Sequence, residues 1–226
     1  MWRFVFSPVE FFEARLRARP NWCLAGLAPL SCAGLQLAAA LVVAAKVQPD
    51  IEALTAALGV SASLVPAGHV FAFFGVAGFP VACGAVVLAA IALDGWLGGV
   101  GRPARLAEGA VWCFYSHVPS AAFALAAAWW WEPRPIRIAP GLGSADVIAL
   151  AGEYQAAVVN APLFLTSRIF ASYAALWLIG LLGVLLAVES RLSTTGVVVA
   201  VGALLLVAVA AGLVGPGLPA VVRLLA

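Results

Sequence analysis

Long apolar runs alternate with short polar stretches along the whole chain. The longest run, Ala107 to Trp131, holds 25 residues, with His117 near its middle. At ~1.5 Å rise per residue, a helix of that length reaches ~37 Å. This exceeds the ~30 Å hydrocarbon core of a bilayer and leaves room for tilt. Trp129, Trp130 and Trp131 close the run, as expected where amphipathic rings sit at headgroup level. Comparable runs cover 22–45, 70–93, 169–188 and 195–214, and the helix of the fourth can start as early as Pro162 with Arg168 snorkelling outward. The pattern predicts an all-α integral membrane protein, a single-domain bundle of five transmembrane helices over residues 1–226.

Two amphipathic segments are too short to span. Over 7–19, Phe12 and Leu16 lie four apart on one face, while Arg15, Arg17 and Arg19 occupy much of the rest. Ser7 and Glu10 have the spacing of a capping box, Pro8 suits the first helical position, and Pro20 ends the segment. This predicts an interfacial helix with its arginines beside anionic headgroups. Over 144–160, Val147, Leu150, Ala151, Tyr154 and Val158 recur at helical spacing, with Ser144 as the expected cap. A second interfacial helix is predicted there, between spans three and four. Lys46 to Glu52 reads as a polar connection after the first span, and Glu189 to Ser193 as a tight solvated turn.

Composition narrows the function classes. Hydrophobic residues make up 65% of the chain and charged residues 10%, against about 25% charged in soluble domains. A net charge of +2 from scattered basic residues argues against a nucleic-acid partner. Cys23, Cys32, Cys83 and Cys113 all lie in apolar runs without paired spacing, so neither disulfides nor a metal site is expected. No cofactor is expected either. Placing the N-terminus in the cytoplasm of an inner-membrane-type bilayer puts seven basic residues inside and five outside, with the C-terminus outside.

Several stretches together resemble the Yip family of Ypt/Rab-interacting multi-pass membrane proteins, in its bacterial-type form. Ser7-Pro-Val-Glu-Phe-Phe12 with Arg19-Pro-Asn-Trp22 is similar to that family's opening segment. Phe114-Tyr-Ser-His-Val-Pro119 resembles its aromatic-Ser-aromatic-x-Pro motif, with His117 where an aromatic is more usual. Arg168-Ile-Phe-Ala-Ser-Tyr173 and Glu189-Ser-Arg-Leu-Ser193 resemble the start of its fourth span and the turn before its fifth. The resemblance implies five helices, a cytoplasmic N-terminus and a non-enzymatic role in membrane organisation.

His117 is the first candidate for chemistry, because ionisable groups at membrane depth are costly and face a bundle interior or a wet cavity. Gln36 on the first span reaches a similar depth, and Tyr115 and Ser116 adjoin it in sequence. These four residues form a candidate intramembrane polar site, either a path for protons or solutes or hydrogen-bonded packing between helices. Asp94 is expected to pair with Arg102 or Arg105, and Arg105 with Glu108 as an i, i+3 surface pair. Gly34/Ala38, Gly78/Ala82 and Gly196/Ala200 have the small-xxx-small spacing of close helix contacts. No nucleophile or metalloprotease motif occurs, so no enzyme is expected. The expected function is a membrane scaffold or adaptor that binds lipids, other membrane proteins or a second copy of itself. A small-solute or proton-linked transporter is the alternative.

Overall fold

The computed structural model describes residues 4, 6–59, 67–139 and 142–210, with 67–80 and 210 in backbone alone. Helix dominates, and no strand occurs among the described residues. Helix α1 (Pro8–Arg17) starts with proline at its first position, but the Ser7 side chain makes no cap bond. Helix α2 (Trp22–Ala57) begins where Asn21 Oδ1 accepts from Leu24 N at 3.0 Å. Then follow α3 (Ala67–Trp96), α4 (Pro103–Cys113), a 3-10 turn (Phe114–His117) and α5 (Val118–Trp130). Helices α6 (Ser144–Val159), α7 (Pro162–Glu189) and α8 (Thr194–Ala210) complete the described chain.

Three helical stretches are long and apolar enough to cross a membrane: Trp22–Ala57, Pro103–Trp130 and Pro162–Glu189. Val81–Trp96 and Thr194–Val209 are shorter apolar helices. The predicted second span, 70–93, falls inside α3. The last four residues of the predicted fifth, 211–214, lie outside the described residues, as do Pro66, Pro219 and Arg223.

Three boundaries differ from the sequence pattern. The Lys46–Glu52 stretch is not a loop: α2 runs through it and through Pro49 for 36 residues. A proline inside a helix removes one backbone bond, but Lys46 and Asp50, one turn apart, are both held by other elements, and tertiary packing supplies most helix stability. The 107–131 run is not one continuous helix. Pro119 has no N–H to donate and its ring crowds the carbonyl of Tyr115, so the backbone tightens over Phe114–His117 and Val118 N bonds Tyr115 O instead. Helix α7 does begin at Pro162, the early start open to the fourth span. Gly143, not Ser144, precedes the first turn of α6, and its N–H donates to Asp146 Oδ2 at 3.3 Å.

Helix α7 is the central element, packing against α1, α4, α5 and α8. Leu178, Leu181, Leu182, Leu185 and Leu186 form its buried stripe. Close approach is permitted by two glycines on facing helices. A Cβ on Gly109 would sit 2.3 Å from Leu185 Cδ1, and one on Gly183 would sit 2.6 Å from Val201 Cγ2. Of the small residues picked from spacing, Ala200 is fully buried in the core, but the glycines do not line a helix contact in the same way. Gly34 faces open space, Gly196 meets only the nearby Leu192 and Ser193, and the Gly78 side lies outside the described side chains.

Candidate functional site

The charged residues gather at the two ends of the bundle rather than at its middle. At the N-terminal end the organising residue is Glu108. Helix α4 presents Leu106, Glu108, Gly109, Ala110 and Cys113 to the interior, so the carboxylate is carried inward with the apolar face. Glu108 is 1% exposed. Its Oε1 accepts from Arg15 Nε at 3.1 Å, Arg15 Nη2 at 2.8 Å and Asn21 N at 2.9 Å. Arg105 Nη1 stands 3.7 Å from Oε2 and donates to Ala18 O at 2.7 Å. A buried carboxylate needs this density of donors to remain charged. Among protein partners, Glu108 Oε2 and Trp112 Nε1, one helical turn apart, make no hydrogen bond.

The same contact docks α1. Phe12 is fully buried in the core with Leu106, Ala110 and Leu182, which stabilises the docked helix by about 2 kcal/mol. Phe11 meets Trp112 edge-on, and Trp112 stacks on Tyr115 with ring centroids 5.0 Å apart. The Arg15 guanidinium lies 5.7 Å from the centre of the Trp112 ring. This corrects two expectations. Glu108 and Arg105 are not a surface pair, and Arg15 faces the protein rather than lipid headgroups. Arg17 and Arg19 remain exposed, Arg17 beside Glu13 at 3.9 Å.

Asp94 also departs from expectation. It is 7% exposed and accepts from Gly101 N at 3.3 Å, while Gly99 N donates to its backbone carbonyl at 2.8 Å. Only glycine lets the 97–101 loop close on this carboxylate, since a Cβ on Gly99 would overlap Asp94 Oδ1. The expected cations are engaged elsewhere. Arg102 Nε meets Glu189 Oε1 at 3.3 Å, which makes Glu189 a bridge between the 97–102 loop and the end of α7 rather than part of a solvated turn. Val100 N donates to Ser190 O at 3.2 Å, closing the same junction.

At the opposite end, Lys46 and Asp50 act from one face of α2. Lys46 Nζ donates to the carbonyls of Ala128 at 3.1 Å and Trp129 at 2.6 Å, and to that of Trp131. These are terminal carbonyls of α5 or lie just beyond it, where a cation also opposes the negative end of the helix dipole. Asp50, 8% exposed, accepts from Ile136 N at 3.0 Å and Tyr154 Oη at 2.7 Å. Burial, together with the Asp50 bond and charge, raises the Tyr154 phenol above its ordinary pKa. Two side chains on one helix thus fix α5, the 131–139 segment and α6.

Of the four candidate intramembrane residues, Tyr115, Ser116 and His117 share the 3-10 turn, and the two hydroxyls reach different helices. Tyr115 Oη donates to Leu24 O at 2.8 Å. Ser116 Oγ donates to Cys113 O at 2.9 Å and lies 3.3 Å from Ala174 O, joining the 3-10 turn to α7. Gln36 is half-buried and shares no hydrogen bond with His117, whose ring tilts against Phe114 at 6.1 Å between centroids. All four cysteines are free. Among the described residues no group of three His, Cys, Asp or Glu is placed to hold a metal ion. The i, i+4 spacing of Lys46 and Asp50 was a weak signal for a shared helix face, overridden by the loop-like composition of Lys46–Glu52. The Glu108 partner, 93 residues away, had none.

Comparison with known proteins finds no matching family model, no matching curated protein and no matching solved structure.

Proposed function

We propose that the chain is a non-enzymatic, five-span membrane scaffold of the Yip-family type, with its N-terminal end in the cytoplasm of an inner-membrane-type bilayer. One observation carries this reading: the polar side chains brace helices against one another. Glu108 holds α1 to α4, Lys46 holds α2 to α5, Asp50 holds α2 to α6, and Ser116 holds the 3-10 turn to α7. Such bracing favours a body that presents fixed surfaces to lipids and other membrane proteins over one that opens a polar path.

Helix lengths support five crossings. Helix α3 has 30 residues and α8 has 17, or ~45 Å and ~25 Å of rise. Exposed charge supports the orientation. At the N-terminal end Arg17, Arg19, Arg102 and Arg191 outnumber the exposed Glu10 and Glu13. At the other end Glu52, Glu132, Asp146 and Glu153 outnumber the exposed Arg134 and Arg137. Cytoplasmic segments carry the basic excess.

The test is an inventory by mass spectrometry of what co-purifies with the full chain in nanodiscs, paired with flux assays in proteoliposomes. A stoichiometric partner protein with no solute or proton flux is the expected result. A partner-free oligomer that carries protons or a small solute would replace the scaffold with a transporter.

A further inference from the structure

Among the described residues four exposed tryptophans form two tiers, while Trp177 is exposed midway along α7. Trp22 and Trp96 stand exposed at the N-terminal end, and Trp129 and Trp130 at the other. The Lys46 bond to Trp129 O fixes the spacing between tiers, because Lys46 lies on the same helix as Trp22. At ~1.5 Å per residue, α2 rises ~36 Å from Trp22 to Lys46. That distance falls between the ~30 Å hydrocarbon core and the ~40–45 Å thickness that includes headgroups. Each tier therefore lies at one membrane interface, where indole rings concentrate.

Beside the first tier the exposed arginines sit on segments that are tied together. Arg105 ties the Ala18 carbonyl, next to Arg17 and Arg19, to the start of α4. Arg102 is bonded to Glu189 at the end of α7, and Arg191 follows two residues later. The Arg15–Glu108 bond and the buried Phe12 hold Arg17 and Arg19 in this plane, so the surface is assembled before any lipid arrives. Arg15 and Arg105 share the single Glu108 carboxylate inside, and of the four exposed arginines Arg17 stands beside Glu13 and Arg102 beside Glu189.

On the membrane placement proposed above, we propose that this rim, built on Arg17, Arg19, Arg102 and Arg191 with Trp22 and Trp96, is a preformed docking surface for anionic phospholipid headgroups. Guanidinium groups match phosphate oxygens in charge and geometry, and the indoles set the depth at which they meet.

The test uses purified full-length protein in nanodiscs of 4:1 phosphatidylcholine and phosphatidylglycerol. Spin-labelled versions of each lipid report the motionally restricted population against the protein. The native chain is expected to enrich phosphatidylglycerol on the order of fivefold, about what one fully effective basic residue supplies. Raising salt to 0.5 M should shrink the preference, since exposed charges are screened. Replacing Arg17, Arg19 and Arg191 by Gln should bring it close to one. Arg134→Gln/Arg137→Gln, at the other end, should leave it unchanged. Equal affinity for both lipids in the native chain, or a preference that follows Arg134 and Arg137, would overturn the proposal. No partner protein is present in this measurement, so its outcome is independent of whether the scaffold reading stands.

Discussion

Arg15 reaches across 93 residues of chain to place two donors on one oxygen of Glu108, Nε at 3.1 Å and Nη2 at 2.8 Å. The pair converts a short amphipathic helix into part of the bundle, and removing Arg15 leaves the buried carboxylate with only the Asn21 amide and the more distant Arg105 at 3.7 Å. Arg15→Ala is therefore expected to lower stability by about 3 kcal/mol, whereas Arg17→Ala should stay within about 0.5 kcal/mol. Urea or thermal unfolding in one detergent compares them. Equal effects of the two substitutions would mean that α1 is held by Phe12 alone.

The Tyr154–Asp50 bond makes a prediction with a defined pH window. Tyr154→Phe removes a hydrogen bond to a charged group, an expected loss of about 2 kcal/mol at pH 7. The folded phenol titrates above its ordinary value because of burial and Asp50. The stabilisation is thus fully present below the unfolded pKa of about 10 and is lost as pH rises through the folded value. The stability gap between native protein and Tyr154→Phe should stay flat to about pH 10 and narrow above it. A gap that closes between pH 6 and 8 would contradict the assignment.

Helix packing predicts opposite fates for two glycines. A Cβ on Gly109 would meet the buried Leu185 side chain at 2.3 Å, while one on Gly34 meets nothing within 4 Å. Gly109→Ala should cost about 1–3 kcal/mol by overpacking. Gly34→Ala should be neutral or slightly stabilising, since alanine is the better helix former by about 1 kcal/mol. Melting temperatures of the two variants decide the matter, and equal shifts would remove Gly109 from the helix contact.

Much of the helical layout was legible because apolar runs and proline or glycine breaks are local signals. The helical character of the Ala107–Trp131 run, the α6 periodicity and the start of α1 at Pro8 were readable, although the run is interrupted by the 3-10 turn before Pro119. What was not legible depends on distant partners. Lys46 through Glu52 carries four polar residues and a proline, which locally reads as a loop. It is helical because Lys46 and Asp50 find carbonyls, an amide and a phenol on elements at least 80 residues away. Glu108 reads as a surface residue for the same reason, since Arg15 and Asn21 are invisible from position 108. Glycine spacing misled because it registers small size without direction. Gly34 and Gly109 look alike in sequence, yet only one faces a neighbour.

Both the scaffold reading and the lipid surface rest on five crossings with the basic end in the cytoplasm, and accessibility labelling tests this most directly. Single cysteines at Ala18, Ala53, Val100, Ser144 and Ser193, all exposed positions, are introduced with the four native cysteines replaced. A membrane-impermeant maleimide is then applied from each side. Ala18, Val100 and Ser193 should label only from the cytoplasmic side, Ala53 and Ser144 only from the other, and a phosphatase fused after Ala226 should be active outside. Labelling of Ala53 and Val100 from one face, or of Ser144 and Ser193 from one face, would contradict the five-span arrangement.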